Sequence, residues 1–495
     1  MSAEIFKYLC VGFYAVLTLW LSWIGMRKTK DIKGFSIGNK DMSPWVIGVT
    51  MAASISSTAT FVINPGFVYV HGLSAFIHYA VAGTAGIMSA FLLLTRRFRQ
   101  LGDANGAITI PDWVYQRYQS RSLSVFFALI NLLSIAFVVL ILVGCSLLLS
   151  QLFPISQTWS LTLILLFVFS YVLMGGSYAH AYTNTLQGVM MIGVALFLFI
   201  QGWYHFGGDV MGSLQSIGEN YARVFNPDSN LYYDFFSVFL SGFVITFALM
   251  MQPHILTKML YLKDDGDVNR FLWTTFLAGA CFMLMLAIGF YAQLKGLQVE
   301  RQDAVVVSYI AAEFSAYDWG PYVLVFISIT LLAAGMSTLD GILVSLSAMV
   351  VKDLYQPFAG AEFKSGSGLR LSRWVLVGVG AMAYLVALNP PALVGLFAQK
   401  GVYGLVAASV VPILLGTLSR KAPSVVVAWG AAASGLLAHI VGLFVFEIAN
   451  PAVAATYAIA ISALFALFFT VLNSLKNKNK SDSFEFISSP VEKTR

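Results

Sequence analysis

Ala53-Ser54-Ile55-Ser56-Ser57-Thr58 and Ala333-Ala334-Gly335-Met336-Ser337-Thr338-Leu339-Asp340 are polar interruptions inside two otherwise apolar segments. Hydrocarbon holds no water to satisfy polar groups, so hydroxyls and a carboxylate at that depth mark a path or a binding site. The surrounding chain of 495 residues is 58% hydrophobic and 11% charged, with a mean hydropathy of +0.79. Soluble domains carry roughly 25% charged residues. The fold class is therefore an all-α polytopic membrane protein. A membrane β-barrel would instead alternate apolar and polar residues in segments of about ten.

Thirteen apolar stretches are long enough to cross a hydrocarbon core of roughly 30 Å. They run near 5–26, 43–70, 74–95, 121–151, 157–176, 182–205, 232–254, 268–293, 318–350, 371–388, 394–417, 423–446 and 451–473. With the N-terminus outside, 24 of the 29 Lys and Arg residues fall in inside loops or the C-terminal tail, counting Lys258 and Lys263 after span 7. This positive-inside bias predicts an odd number of spans, N-terminus out and C-terminus cytoplasmic. The first run is followed by Arg27, Lys28 and Lys30, a stop-transfer pattern rather than a cleaved signal. Ile110–Tyr118 reads as a short amphipathic helix, with Trp113 and Tyr118 placed for the membrane interface. The polar stretch 474–495 reads as a disordered cytoplasmic tail.

Spans 2 and 7 are interrupted at matching places. Span 2 carries the Ser/Thr run, then Asn64-Pro65-Gly66; span 7 carries Ser241-Gly242 and ends in Gln252-Pro253-His254. Interrupted helices in corresponding positions of two halves point to a secondary transporter's binding site. The organisation is then a first helix and loop (1–42), repeat 1 (43–205, spans 2–6), an inverted repeat 2 (206–417, spans 7–11), two C-terminal helices (418–473) and the tail. Five spans per repeat is an odd number, which inverts the second repeat.

Other function classes are poorly supported. No clustered acid/base pair, nucleotide loop or metal-ligand spacing appears, so the chain is not read as an enzyme and no cofactor is expected. The formal charge of +6 sits at helix ends, against nucleic-acid binding. The cysteines, Cys10, Cys145 and Cys281, are odd in number and lie within apolar segments, against disulfides. The tail is too short for a signalling domain, which disfavours a solute-sensing transceptor, and no obligate protein partner is evident. The expected partners are a small organic solute and the lipid bilayer.

Four stretches together resemble the sodium/solute symporter family, which includes the sodium–glucose and sodium–proline cotransporters. They are Ala53-Ser54-x-Ser56-Ser57 with Pro65-Gly66; Ala107-Ile-Thr-Ile-Pro-Asp112 with Arg117-Tyr118; Gly175-Gly176 with Thr183-Asn184-x-Leu186-Gln187; and Ala334-x-Met336-Ser337-Thr338-Leu339 with Lys352-Asp353-Leu354-Tyr355. The resemblance implies a LeuT-like fold and sodium-coupled import by alternating access. It implies a sodium site built from the Ala53, Ser56 and Ala334 carbonyls and the Ser337 and Thr338 hydroxyls. Neutral oxygens suit a hard cation; mid-helix Ser and Thr more commonly bond back to their own helix.

Two positions depart from the family pattern. Ile55 stands where some members carry an acid, and Asn184 where many carry Asp, which favours one sodium per cycle. Asp340, one residue beyond Leu339, either tunes the ion site, carries a proton, bonds to backbone or Ser345, or reaches toward cytoplasmic water. Proton-coupled carriage on the same fold is thus the alternative.

Candidate residues for the solute pocket are Ser57, Thr58, Thr60 and Asn64 on span 2, His78 and Tyr79 on span 3, Thr246 on span 7, and Gln399, Lys400 and Tyr403 on span 11. Lys400 could pair with an anionic solute or snorkel outward, and Phe61 and Phe67 are possible gates. The apolar surroundings of Ile245 and Ala248 argue against a sugar, whose hydroxyls need many partners. The Gln252-Pro253-His254-x-x-Thr257-Lys258 stretch leans toward the pantothenate and monocarboxylate branch, and hence a carboxylate. The composition fits a bacterial inner membrane.

Overall fold

The computed structural model describes residues 2–359, 365–391 and 393–487, and these are helical with connecting turns. Ten continuous helices are long and apolar enough to cross a membrane. Nine are Ala3–Lys28 (span 1), Leu73–Asn105 (span 3), Arg121–Leu152 (span 4), Gly266–Leu294 (span 8), Gly320–Tyr355 (span 9), Ser367–Ala387 (span 10), Val394–Leu418 (span 11), Val425–Phe444 (span 12) and Pro451–Leu472 (span 13). Two more crossings are bent pairs. Pro44–Ile55 meets Ala59–His71 at 53° (span 2), and Phe236–Leu249 meets Pro253–Tyr261 at 65° (span 7).

The tenth continuous helix, Gln157–Phe206, has 50 residues, or about 75 Å at 1.5 Å per residue, far more than a bilayer needs. It turns back on itself at Gly176, where φ is 51° and ψ −127°. Its contacts with span 1 show the reversal. Phe153, just before the helix, lies against Tyr8, and Phe167 lies against Tyr14. Thr29 Oγ1 donates to the Gly175 carbonyl at 2.8 Å. Past the turn, Tyr178 lies under Lys28, and Gln187 Nε2 is back at Tyr14 OH at 2.9 Å. Residues 157–175 and 177–206 are thus spans 5 and 6, giving thirteen crossings among the described residues.

Ile110–Tyr118 is helical as expected, with Thr109 Oγ1 capping Asp112 N at 3.1 Å. Its aromatic residues, however, do not face an interface. Trp113 is buried and stacks on Phe98 at 4.7 Å, and the buried Tyr118 hydroxyl donates to the Pro412 carbonyl. The helix is anchored in the bundle: Thr109 Oγ1 also donates to Asp353 Oδ2 at 2.6 Å, and Arg117 Nε to the Gly416 carbonyl at 2.7 Å. The last helix continues to Ile487, into the polar stretch expected to be disordered. Extending a helix already nucleated by a membrane span fixes few residues per bond gained. The rest of that tail lies outside the described residues.

At the opposite end of the bundle from the basic loops, Glu313 ties three segments together. Its side chain is 1% exposed, and it accepts from Lys295 Nζ at 2.8 Å, Gln201 Nε2 at 2.8 Å and Tyr204 OH at 2.7 Å. Burial alone would raise its pKa, but these donors outweigh it and hold the carboxyl down at about 2. An unfolded glutamate titrates near 4.3. Glu313 therefore stabilises the fold above about pH 4.3, and that contribution is lost as pH falls toward 2. Between pH 6 and 3 the thermal midpoint of the unmodified chain falls, and it falls less in Glu313→Gln. In a second test, Gly176→Ala lowers stability by about 1–3 kcal/mol through backbone strain alone. It loses more through a methyl placed 2.6 Å from the Phe35 carbonyl oxygen. Thermal unfolding in detergent measures both.

Candidate functional site

The break in span 2 begins at Ser56. The helix ends at Ile55, Ser56 leaves helical geometry at φ −91° and ψ 71°, and the last helical donation runs from Ser56 N to the Ala52 carbonyl. Continuation would have supplied donors from residues 57 and 58 to the carbonyls of Ala53 and Ser54. Span 9 supplies them instead. Ser337 Oγ lies 2.9 Å from the Ala53 carbonyl oxygen and 2.8 Å from that of Ala334, and Thr338 Oγ1 donates to the Ser54 carbonyl at 3.0 Å. Four of the five expected sodium ligands are thus gathered at one crossing. Ser56, whose carbonyl is the fifth, lines a small separate cavity together with Thr84 and Thr275.

Ser54 is the hub. Asn184 Nδ2 donates to its hydroxyl at 3.1 Å and to the Ser337 carbonyl at 2.7 Å, and the Ser54 hydroxyl lies 3.4 Å from His180 Nε2. His180 Nδ1 is 2.8 Å from Asp340 Oδ1, and Tyr171 OH donates to Asp340 Oδ2 at 3.2 Å. Asp340 is fully buried and His180 is 1% exposed. Neither backbone nor Ser345 takes up this carboxylate; an imidazole and a phenol do. Asn184 fills the place of the family's acid as a donor, leaving its own Oδ1 buried without a partner.

Beside this crossing lies a cavity of about 120 Å³, below the roughly 300–1,000 Å³ of drug-sized ligand sites. Eight of the ten expected pocket residues line it: Ser57, Thr60, Asn64, His78, Tyr79, Thr246, Gln399 and Tyr403. Two do not. The Thr58 hydroxyl points to Cys145 Sγ at 3.9 Å, on the span 4 side. Lys400 is exposed, and only its backbone meets the bundle, as acceptor for His439 Nε2 at 3.0 Å; the side chain follows the snorkelling alternative. Phe61 packs on Phe282 and Phe67 on His71 and Tyr79, and neither lines the cavity itself. Thr246 spends its hydroxyl on the Gly242 and Gly83 carbonyls, at 2.7 and 2.9 Å, so it joins spans 3 and 7 as well as lining the cavity.

Ser54, Gln252, His254 and Thr338 also line the cavity but were not on the expected pocket list. Ser54 and Thr338 therefore belong both to the span 2–span 9 crossing and to the cavity wall. Gln252 and His254 come from the break in span 7, and its proline was the visible signal. The buried His180–Asp340 pair invites a double-mutant test. Removing one partner of a buried pair costs about 3–5 kcal/mol. His180→Ala lowers stability by that order, whereas His180→Ala combined with Asp340→Asn costs less than the sum of the single changes, as read by thermal unfolding.

Comparison with known proteins agrees with this geometry. The profile of the sodium:solute symporter family matches residues 35–466. The sodium/pantothenate symporter of Haemophilus influenzae is 26% identical over 426 residues, 84% of each chain. The osmoregulated proline transporter of Bacillus subtilis is 25% identical over 413 residues, 79% of each. Among solved structures, a Na+-coupled sialic acid symporter in a substrate-bound outward-open state superposes with a TM-score of 0.73 at 18% identity, covering 94% of this chain and 98% of that one. The transporter MhsT in complex with L-phenylalanine superposes at 0.52 and 14% identity, over 85% and 98%. These likenesses place the chain in the LeuT fold. With a family match over most of its length, the chain belongs to the sodium:solute symporter family and is a membrane transporter that carries a small solute together with sodium.

Proposed function

We propose that the chain imports a small organic carboxylate with one sodium ion per cycle, across a bacterial inner membrane, with its N-terminus outside and its C-terminus in the cytoplasm. The observation that carries this reading is the pair of hydroxyl–carbonyl contacts from Ser337 to Ala53 and from Thr338 to Ser54, the second of them in the wall of the cavity. Sodium would exchange these hydrogen bonds for cation–oxygen contacts from the Ala53, Ser56 and Ala334 carbonyls and the Ser337 and Thr338 hydroxyls. It would thereby hold the broken span 2 against span 9 and firm up the solute cavity. Asp340, through His180 and Ser54, would tune the strength of that hold.

Two observations support a small carboxylate. The cavity is small, and its wall sets apolar residues such as Ile245 and Leu249 beside hydrogen-bond donors such as Asn64, His78, Gln252 and Gln399, which suit a carboxylate's oxygens. The relatives named for pantothenate and proline carry solutes that each bear a carboxylate. The excess of Lys and Arg at one end of the bundle supports the orientation.

The test is uptake into proteoliposomes of labelled acetate, pyruvate, pantothenate, proline, a hexose and sialic acid, each under an inward sodium gradient and under a proton gradient alone. One carboxylate enters with sodium, and the double change Ser337→Ala/Thr338→Ala reduces that uptake at least about tenfold, one such step being 1.4 kcal/mol of lost ion affinity. Equal uptake under protons alone rejects the sodium site and moves coupling to the Asp340–His180 pair.

A further inference from the structure

Of the three Lys and Arg residues buried among the described residues, two have carboxylate partners. Lys7 pairs with Glu4 at 2.9 Å, and Arg99 pairs with Asp103 and Asp265. Lys258 pairs with none. It is 1% exposed, and its ammonium, which carries three donors, has one hydrogen-bond acceptor, the His254 carbonyl one turn earlier in the same segment. Asp340 is the carboxylate on the neighbouring core helix, but it makes no ion pair with Lys258 and instead binds His180 and Tyr171. A buried cation with no carboxylate in direct contact is costly inside a membrane and marks a functional group.

Its surroundings point the same way. Gln252 and His254 are 4% and 3% exposed and line the cavity, yet Gln252 Oε1 and His254 Nδ1 have no partner. Beyond Lys258, Tyr261 OH donates to the Ser36 carbonyl at 3.3 Å, in the loop at the basic end. Residues 252, 254, 258 and 261 therefore run from the cavity wall to the end of the bundle where the basic loops gather.

We propose that Lys258, with His254 and Gln252, forms a second anion-binding subsite below the cavity, which takes the carboxylate of the cargo as it leaves toward the basic end. The inference rests on the carboxylate reading above and adds a station to it. His254 and Gln252 meet the solute in the cavity, and the Lys258 ammonium, one turn on, supplies the positive charge the cavity wall lacks. The carboxylate displaces no protein partner there, because the ammonium has only a backbone carbonyl to give up. Binding is transient in the cycle, and release follows when the segment 253–261 moves away from span 2.

The test uses the full chain in detergent at constant ionic strength and without sodium, with acetate as probe and acetamide as its uncharged counterpart. Acetate raises the thermal midpoint of the unmodified chain and of Lys258→Arg, and acetamide does not. In Lys258→Met the half-saturating acetate concentration rises about tenfold or more, the loss of one charge-assisted contact. Lys258→Gln gives the same result should the methionine variant fail to fold. No acetate response in the unmodified chain, an equal response to acetamide, or an unchanged response in both Lys258→Met and Lys258→Gln overturns the subsite. A Lys258-dependent acetate response in a chain that takes up none of the labelled carboxylates refutes the carboxylate-import reading and leaves the anion subsite standing.

Discussion

A helix interrupted inside hydrocarbon must find new donors for the carbonyls it frees, and the rest of this structure depends on how span 2 does so. Ala53 and Ser54 lose their helical donors where the chain departs at Ser56, and two adjacent hydroxyls on span 9 replace them. The substitution has a consequence that an intact helix lacks. The donors now belong to another span, so the two halves of the bundle are held together by contacts that a cation can take over. Backbone irregularity at membrane depth is tolerated only where protein or a cavity covers it, and here it is covered by both. The crossing of spans 2 and 9 is in this sense one element with two possible fillings, hydrogen bonds or an ion.

The two broken spans resolve the same problem differently. Span 2 satisfies its freed carbonyls with span 9. Span 7 breaks ahead of Pro253, which has no N–H to offer, and leaves Gln252 Oε1 and His254 Nδ1 without protein partners at the cavity wall. One break is thus closed on protein, and the other is open toward whatever occupies the cavity. This asymmetry is what a symporter needs from an inverted repeat, because it separates the groups that answer the ion from those that answer the solute while both line one space.

Much of this was legible in the sequence, for identifiable reasons. Membrane spans are long local signals, and the hydroxyl runs at 54–58 and 337–338 stand out because their surroundings are apolar. Eight pocket residues were readable because they lie on helices whose order in the fold follows from the matched breaks. What failed depended on direction or on distance along the chain. Thr58 and Lys400 lie on the right helices, but their side chains point elsewhere, which one helical step decides. His180 and Asp340 are 160 positions apart, and each alone reads as an isolated polar residue; only packing of span 6 on span 9 makes them a pair. Lys258 was counted as a loop charge because hydropathy ends span 7 near residue 254. The bend of 65° instead folds 253–261 back into protein, converting a surface lysine into a buried one.

Ser54 shows how ion and solute can act on each other without a long path between them. Its carbonyl accepts from Thr338, its hydroxyl meets Asn184 and His180, and its side chain lines the cavity. Anything that pulls Ser54 toward span 9 fixes one wall of the solute cavity, and a solute that fixes that wall holds Ser54 toward span 9. Coupling free energy is the same in both directions, and a single shared residue meets that condition with no intervening switch. Asp340 enters the same arithmetic through His180. The carboxylate anchors the imidazole, and the imidazole limits how far the Ser54 hydroxyl can turn. A buried acid on the core helix can therefore shape the ion's affinity without touching the ion, and its effect reaches the solute through the residue that both sites already share.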